Sequence, residues 1–340
     1  MPMDAYARAG VHRDVAREIR SRIADAVCST YGKEVIAGWG AFAGLYQADL
    51  WRGMKEPVLV ASTDGVGTKL KVAARLNRWE TIGHDLVHHC VNDILVYGAR
   101  PLFFLDYIAA DRLDPDVIVR IVESVAAACR EVGCALLGGE TAELPGVYAP
   151  GELDLAGTII GVVERQRIRD GSRIRPGDRL LALPSSGLHT NGYSLARMVL
   201  AELDWEQPLP ELGTSIGEAL LAPHRCYLEP IRRLESAGVD LKGLCHITGG
   251  GVYENLPRVL PRGAAAVLHR GTWPEPPIFG LIQRMGRISD QEMFHVFNMG
   301  LGMLLVVSPQ DVELALATLP GELRVVGEII AGEQEVQIQM

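Results

Sequence analysis

The stretch PVLVASTDGVGTK, residues 57–69, changes character halfway along its length. Val58-Leu59-Val60-Ala61 is short, apolar and partly β-branched, which predicts a buried strand. Thr63 to Lys69 then gathers a carboxylate, two glycines, two hydroxyls and an ammonium. Gly65 and Gly67 let backbone N–H groups approach an anion, and Asp64 beside them suits an anion that arrives with a divalent cation. The order Thr68-Lys69 differs from the Gly-Lys-Ser/Thr ending of a Walker A loop. A tight turn capped by a solvated Asp and Lys is the alternative, because a single glycine-rich loop does not decide between them.

Composition bounds the rest. The chain has 340 residues, 48% of them hydrophobic, which is enough for one large or two ordinary domains and argues against disorder. A net charge of −9 argues against a groove for duplex nucleic acid, though not against a nucleotide whose phosphates meet local lysines and a metal. None of the six cysteines (28, 90, 129, 134, 226 and 245) has CxxC spacing, and most lie in apolar runs, which predicts buried thiols in a reducing compartment. No segment reaches the roughly 18 apolar residues of a membrane span and the start has no apolar leader, so a cytoplasmic protein is expected.

Outward from the opening stretch, Val11, Val15, Ile19, Ile23 and Val27 recur every fourth residue and predict an amphipathic helix over 10–30. Helices are predicted from Leu70 to Leu76, from Thr81 to Tyr97 and from near Pro115 to Gly133. Strands are predicted at 102–109, at 135–137 running into Gly138-Gly139-Glu140, and at 155–163. Residues 164–179, ERQRIRDGSRIRPGDR, lose apolar periodicity and mark a boundary between units 1–168 and 169–340. Beyond it the grammar of strand, glycine turn and helix returns twice. One copy runs from Leu180 through Ser185–Gly192, and the other from Leu244 through Thr248-Gly249-Gly250-Gly251. Late strands are predicted at 303–307 and 323–330.

Three acids stand at the ends of predicted elements: Asp64, Asp93 and Glu140. Magnesium takes one or two carboxylates plus substrate phosphates, so acids among glycines and small residues suit a Mg-nucleotide site. For each acid alone, a surface position or a helix cap is the simpler reading, and Asp93 could also pair with Arg100.

The segments STDGVGTKLKVA (62–73), CVNDILVYGARPLFFLDYIA (90–109), GCALLGGETAELPGVYAPGELDLAGTIIGVVE (133–164), LPSSGLHTNGYSLAR (183–197), HITGGGVYENLPRVLP (246–261) and FNMGLGM (297–303) resemble the aminoimidazole ribonucleotide synthetase family. The resemblance covers nearly the whole chain. It implies an α/β fold of α+β type with two domains, the first for ATP binding and dimerisation, with a mixed sheet that pairs across a homodimer into a closed barrel. It also implies an ATP-dependent ring closure on a small nucleotide substrate, formylglycinamidine ribonucleotide, with no nucleic-acid or membrane partner. Phosphorylation of the formyl oxygen turns a poor leaving group into a good one, and an internal nitrogen then attacks.

Carried over by position, the resemblance implies Mg²⁺ on Asp64, Asp93 and Glu140. It implies ATP contacts at Thr63, Asp64, Gly65, Gly67, Thr68, Lys69, Asn92 and Gly139, with Lys69 also catalytic. Substrate contacts fall on Ser186, Gly187, His189, Thr248, Gly249 and Gly250. His189 stands for substrate contact or proton transfer, with a turn-stabilising histidine as the alternative. Thr248–Gly251 would present N–H groups to the ribose phosphate, with a sharp turn as the alternative.

The chain departs from the family pattern at several points. Ala24 replaces a frequent lysine, Gly40-Ala41-Phe42-Ala43 replaces a glycine-richer loop, and His84, His88 and His89 stand where apolar or small residues are usual. Histidines 84 and 88 have the i, i+4 spacing of zinc ligands, but without a third placed ligand a locally satisfied helix face is the expectation.

Overall fold

The structure, a computed structural model, describes residues 5–339. Two compact units emerge, Met1–Ile94 with Ala99–Gln166, and Leu95–Gly98 with Arg167–Met340. No helix among the described residues is long and apolar enough to cross a membrane.

In the first unit the elements run α1 (Arg13–Cys28), β1 (Pro57–Gly65), α2 (Lys69–Leu76), α3 (Ile82–Val96), β2 (Arg100–Ala110), α4 (Pro115–Val132), β3 (Ala135–Glu143) and β4 (Leu153–Glu164). The sheet order is β1-β4-β2-β3, with β2 and β3 parallel and the other pairs antiparallel. Alternation along β1 turns Val58, Val60, Ser62 and Asp64 toward the covered side and leaves Leu59, Ala61 and Thr63 exposed. The helices cover one face only. α1 contributes Ile19, Ile23 and Val27, and α4 contributes an apolar stripe between its Asp114 N-cap and the left-handed Gly133 that ends it. The other face shows Leu59, Leu105 and Tyr107, exposed by 55%, 37% and 38%.

β1 and β3 are the sheet's two edges, so among the described residues the sheet of one chain is open. Both site strands also outrun their predicted ends, because β1 continues through Asp64 to Gly65 and β3 through Gly138-Gly139 to Glu143. The glycines belong to the ladder, where Asp64 pairs with Gly157 and Asp106 with Gly139.

The second unit is a six-stranded mixed sheet. Its elements are β5 (Arg179–Pro184), α5 (Leu228–Ser236), β6 (Leu241–His246), β7 (Ala264–His269), α6 (Pro277–Gly286), β8 (Leu301–Val307), β9 (Arg324–Ala331) and β10 (Val336–Gln339), with a few shorter helices and strands between them. Strand order is β6-β8-β5-β9-β7-β10. Every residue of β8 is buried, as befits a strand paired on both sides with β6 and β5. β7 escaped sequence reading because AAAVLH has little of the β-branched or aromatic content that marks a strand.

Candidate active site

Residues four apart on a helix share a face, and α3 presents Asp85, His89 and Asp93 as one such stripe toward β1 and the start of α2. Each rung is occupied. Asp93 Oδ2 accepts from Ser62 Oγ at 2.9 Å. His89 Nε2 lies 2.8 Å from Asp64 Oδ2 and 3.9 Å from Asp93 Oδ2. Asp85 Oδ1 accepts from Lys69 Nζ at 2.8 Å, with both side chains fully buried.

The electrostatics follow from this ladder. Burial pushes the Asp64 carboxyl up, but the hydrogen bond and charge of His89 and the Gly65 N–H outweigh it and hold the group below the usual carboxylate range. Burial pushes His89 down, yet Asp64, Asp93 and Asp85 together raise it above an ordinary imidazole. Burial pulls the Lys69 ammonium down against the opposing pull of Asp85.

Asp64 and Asp93 both face the His89 ring. Gly65 donates its N–H to Asp64 Oδ1 at 2.8 Å, and Gly67 takes a left-handed φ of 64° in the loop that ends at Thr68, just before α2. Lys69 differs from expectation. It is the first residue of α2, its flanks Val66 and Leu70 are buried, and its ammonium points inward to Asp85 instead of outward to a phosphate. Thr63 lies on the opposite sheet face, sharing a 2.8 Å hydrogen bond with Thr158, and Asn92 is fully buried. His84 and His88 turn to α4, with His84 Nε2 3.2 Å and His88 Nε2 3.4 Å from the Glu131 carboxylate. His84 is satisfied locally, since its Nδ1 also lies 2.9 Å from Ser124 Oγ.

Glu140 does not join Asp64 and Asp93 within one chain. β3 is three strand spacings from β1, about 14 Å at the backbone, and pairing with Tyr107 places Glu140 one residue out of the Asp64–Gly157–Asp106–Gly139 row. It therefore faces the other side. Glu140 instead lines a cavity of about 820 Å³ formed by α1, residues 38–42 and residues 136–141, which also takes in Asp106. A Cβ on Gly139 would lie 2.0 Å from Asp106 Oδ1, so only glycine leaves that carboxyl its place. Burial, with the Glu140 charge adding to it, pushes the half-buried Asp106 up to about 7.

The second unit sets two turns side by side, after β5 and after β6, with a Cβ on Gly249 falling 3.2 Å from Asn191 Oδ1. Asn298, buried just before β8, ties the first of these turns to the sheet. Its Oδ1 accepts from Ser185 Oγ and from the Gly300 N–H, and its Nδ2 donates to the Gly187 carbonyl, all at 2.9 Å. His189 is fully buried in a left-handed conformation (φ 61°), and its Nε2 accepts from the Ser186 N–H at 3.2 Å. Its ring stacks on His224 at 4.0 Å, and His224 Nε2 lies 3.0 Å from His246 Nε2. The turn-stabilising role is the one this geometry supports, since a neutral ring accepting at Nε2 carries its proton on Nδ1.

Thr248–Gly251 forms a sharp turn. Asn255 Nδ2 donates to the carbonyls of Thr248, Gly249 and Gly251, and the helix that follows, Gly251–Asn255, is only five residues long. Ser186 and Gly249 are exposed, whereas Gly187 is buried. Asp85, Asp106, His224, Asn255 and Asn298 escaped the sequence reading. Only Asp85 carried a usable signal there, its fourfold spacing with His89 and Asp93.

Residues 44–163 match the family described as AIR synthase related protein, N-terminal domain, and residues 175–339 match its C-terminal domain. The phosphoribosylformylglycinamidine cyclo-ligase of Thermoanaerobacter sp. (strain X514) is 45% identical over 334 residues, covering 96% of this chain and 98% of the relative. That of Myxococcus xanthus (strain DK1622) is 50% identical over 337 residues, covering 97% of each. Among solved structures, thiamine-monophosphate kinase from Stenotrophomonas maltophilia K279a superposes with a TM-score of 0.66 at 18% identity, over 94% of this chain and 96% of that one. Hydrogenase maturation protein HypE in complex with ATP gives a TM-score of 0.65 at 20% identity, over 94% and 90%. At such identities these two share the fold.

Proposed function

The chain belongs to the phosphoribosylformylglycinamidine cyclo-ligase family, and from that premise we propose how its residues divide the work. It is an ATP-dependent ligase of purine biosynthesis. In this reaction the formyl oxygen of formylglycinamidine ribonucleotide takes the γ-phosphoryl group of ATP. An internal nitrogen then attacks the activated carbon, the carbon–oxygen bond breaks, and phosphate leaves with aminoimidazole ribonucleotide formed. Phosphoryl transfer needs little covalent help from protein, so positioning and charge neutralisation carry the catalysis.

In our reading Asp64 and Asp93 hold a divalent cation, Mg²⁺ in the family's usual chemistry, at the carboxyl end of β1. Paired oxygen donors on a rigid strand and helix suit a hard ion. When bound, that ion neutralises phosphate charge as the phosphoryl group moves. The Gly65–Thr68 loop offers backbone N–H groups to the phosphates. Lys69 shapes this loop from beneath through Asp85, a positioning role in place of direct phosphate contact. Gly139 and Glu140 line the cavity under α1, whose 820 Å³ falls within the range of small-molecule sites and suits the nucleoside. The turns at Ser186 and at Thr248–Gly250 receive the ribonucleotide substrate, with His189 and Asn298 fixing the shape of the first and Asn255 that of the second.

The domain roles follow: residues 1–168 for ATP binding and dimerisation, and 169–340 for a second α/β domain that carries the substrate turns. The outward face bearing Leu59, Leu105 and Tyr107 is taken as the seat of a second copy, whose sheet would close the barrel. A cytoplasmic setting fits the free cysteines, most of which are buried.

The observation that carries this reading is the approach of Asp64 and Asp93 to one buried imidazole, His89, behind a glycine loop. Incubation with ATP and formylglycinamidine ribonucleotide should release ADP and phosphate in step with aminoimidazole ribonucleotide, and Asp64→Asn should abolish it. Full turnover in that variant would remove Asp64 from the centre. Sedimentation of the intact chain tests the dimer, which a monomer at micromolar concentration excludes.

A further inference from the structure

Three imidazoles gather in the interior of the second unit. His189 comes from the turn after β5, His224 from the segment ahead of α5, and His246 from the last position of β6. All three are buried, none more than 5% exposed, and one ring nitrogen from each lies within 4.8 Å of the other two. His224 Nε2 and His246 Nε2 stand 3.0 Å apart, with ring centres separated by 5.1 Å. Two nitrogens bound at about 2.0–2.1 Å to one tetrahedral zinc lie about 3.3 Å apart, so this pair is already spaced almost as two ligands of one ion.

The third ring needs more adjustment. His189 stacks on His224 with ring centres 4.0 Å apart and planes 21° from parallel. For both to face one ion, one ring rotates about its Cβ–Cγ bond, a torsion with broad minima in histidine. A neutral imidazole has a single in-plane lone pair, so binding also takes His189 from its 3.2 Å contact with the Ser186 N–H. The surroundings are fixed: Tyr227 Oη, three residues beyond His224, donates to the Pro184 carbonyl at the end of β5 at 3.0 Å. The group offers imidazole nitrogen alone, which suits zinc, copper and nickel, whereas carboxylate and carbonyl oxygens suit Mg²⁺ and Ca²⁺.

We propose that His189, His224 and His246 form a metal centre for a transition cation of the Zn²⁺ class, bound through three imidazole nitrogens with the fourth position open to a small donor. It differs in chemistry from the carboxylate site read at Asp64 and Asp93, and stands or falls separately from it. Because its ligands come from three segments far apart in sequence, the ion ties the turn that bears Ser186 to the sheet and stabilises the folded chain by mass action. The competing arrangement is a histidine cluster held by hydrogen bonds and ring stacking that never touches metal.

The test uses the full chain, stripped of metal with a chelator and titrated with Zn²⁺ alone against a chromophoric competitor. X-ray absorption at the zinc edge of the wild-type complex should show imidazole scattering, a readout that needs no variant. His224→Gln and His246→Gln should each weaken Zn²⁺ binding at least tenfold and lose the rise in melting temperature that Zn²⁺ gives the wild type, with circular dichroism reporting an intact fold. Asp64→Asn and His84→Gln, which alter the clusters on α3, should leave the affinity unchanged. Zn²⁺ that does not bind, that binds without imidazole scattering, that binds His224→Gln as tightly as the wild type, or that is lost in Asp64→Asn or His84→Gln overturns the centre.

Discussion

The two units use the same local grammar, a buried strand that ends in a glycine turn before a helix, and fill it with opposite chemistry. Behind β1 the turn is ionic, with Asp64, His89, Asp93, Lys69 and Asp85 all within one or two residue contacts. Behind β5 the turn is neutral, held by Asn298, Ser185 and backbone groups. Buried charges demand partners and react strongly to the loss of one, whereas amides and hydroxyls in a satisfied network set shape at lower electrostatic stakes. The contrast teaches that one turn is arranged to receive charge and the other to hold a fixed contour.

The harshest way to break the contrast is to cut the sealed ion pair. Asp85→Ala, or Lys69→Met alone, should lower unfolding stability by about 3–5 kcal/mol, because each strands a buried charge. Combining Lys69→Met with Asp85→Leu should recover most of that loss, and denaturant midpoints of the four proteins measure it. A double variant no better than the singles would show that the pair does more than balance itself.

Next in size is Asp64→Asn. It should cost about 100-fold or more in turnover, since electrostatic stabilisation of transferring phosphate is worth several kcal/mol, and lower the melting temperature modestly, since buried His89 loses one charged partner and keeps Asp93 nearby. Assay and thermal scan together separate chemistry from folding. In the neutral turn, Asn298→Ala removes three hydrogen bonds and should destabilise by about 2 kcal/mol. That loss should be nearly independent of salt, where an ionic turn would respond; chemical denaturation at low and high ionic strength reads this directly.

The smallest effect sharpens the comparison through pH. A carboxyl whose folded pKa is raised to about 7 keeps a proton that the unfolded chain releases near pH 4. Its contribution therefore falls as pH rises from about 4 to 7 and stays low above that. Asp106→Asn should match the wild type at pH 4 and exceed it by about 1–2 kcal/mol at pH 8, measured in metal-free buffer. Equal stability at both pH values would mean that Asp106 titrates as an ordinary acid.

Much of this was legible in the chain itself, for definite reasons. Four-residue spacing revealed α1, and the long quoted segments gave the family, because they carry composition, turn chemistry and order together. Asp64 was readable because it ends a short apolar strand beside glycines, and Asp93 because it follows Asn92 on a helix. Glu140 misled because a sequence shows that a carboxylate follows a strand but not how many strands lie between, nor which face it takes. Lys69 misled for a similar reason: a lysine beside glycines looks solvated until the helix that follows turns it inward onto Asp85. The i, i+4 run of Asp85, His89 and Asp93 was visible, but its meaning depends on which element lies opposite, and only packing supplies that.

Gly139 carries a consequence beyond its own position. The Asp106 carboxyl occupies the room that any side chain at 139 would claim, so the two sites form a single hereditary unit. A lineage that gained a methyl group at 139 would displace the acid next door and press on the Asp106 carbonyl oxygen behind it. Drift at either residue is thereby tethered to the other, and a designer wishing to retune that acid has to begin with the residue that has no side chain.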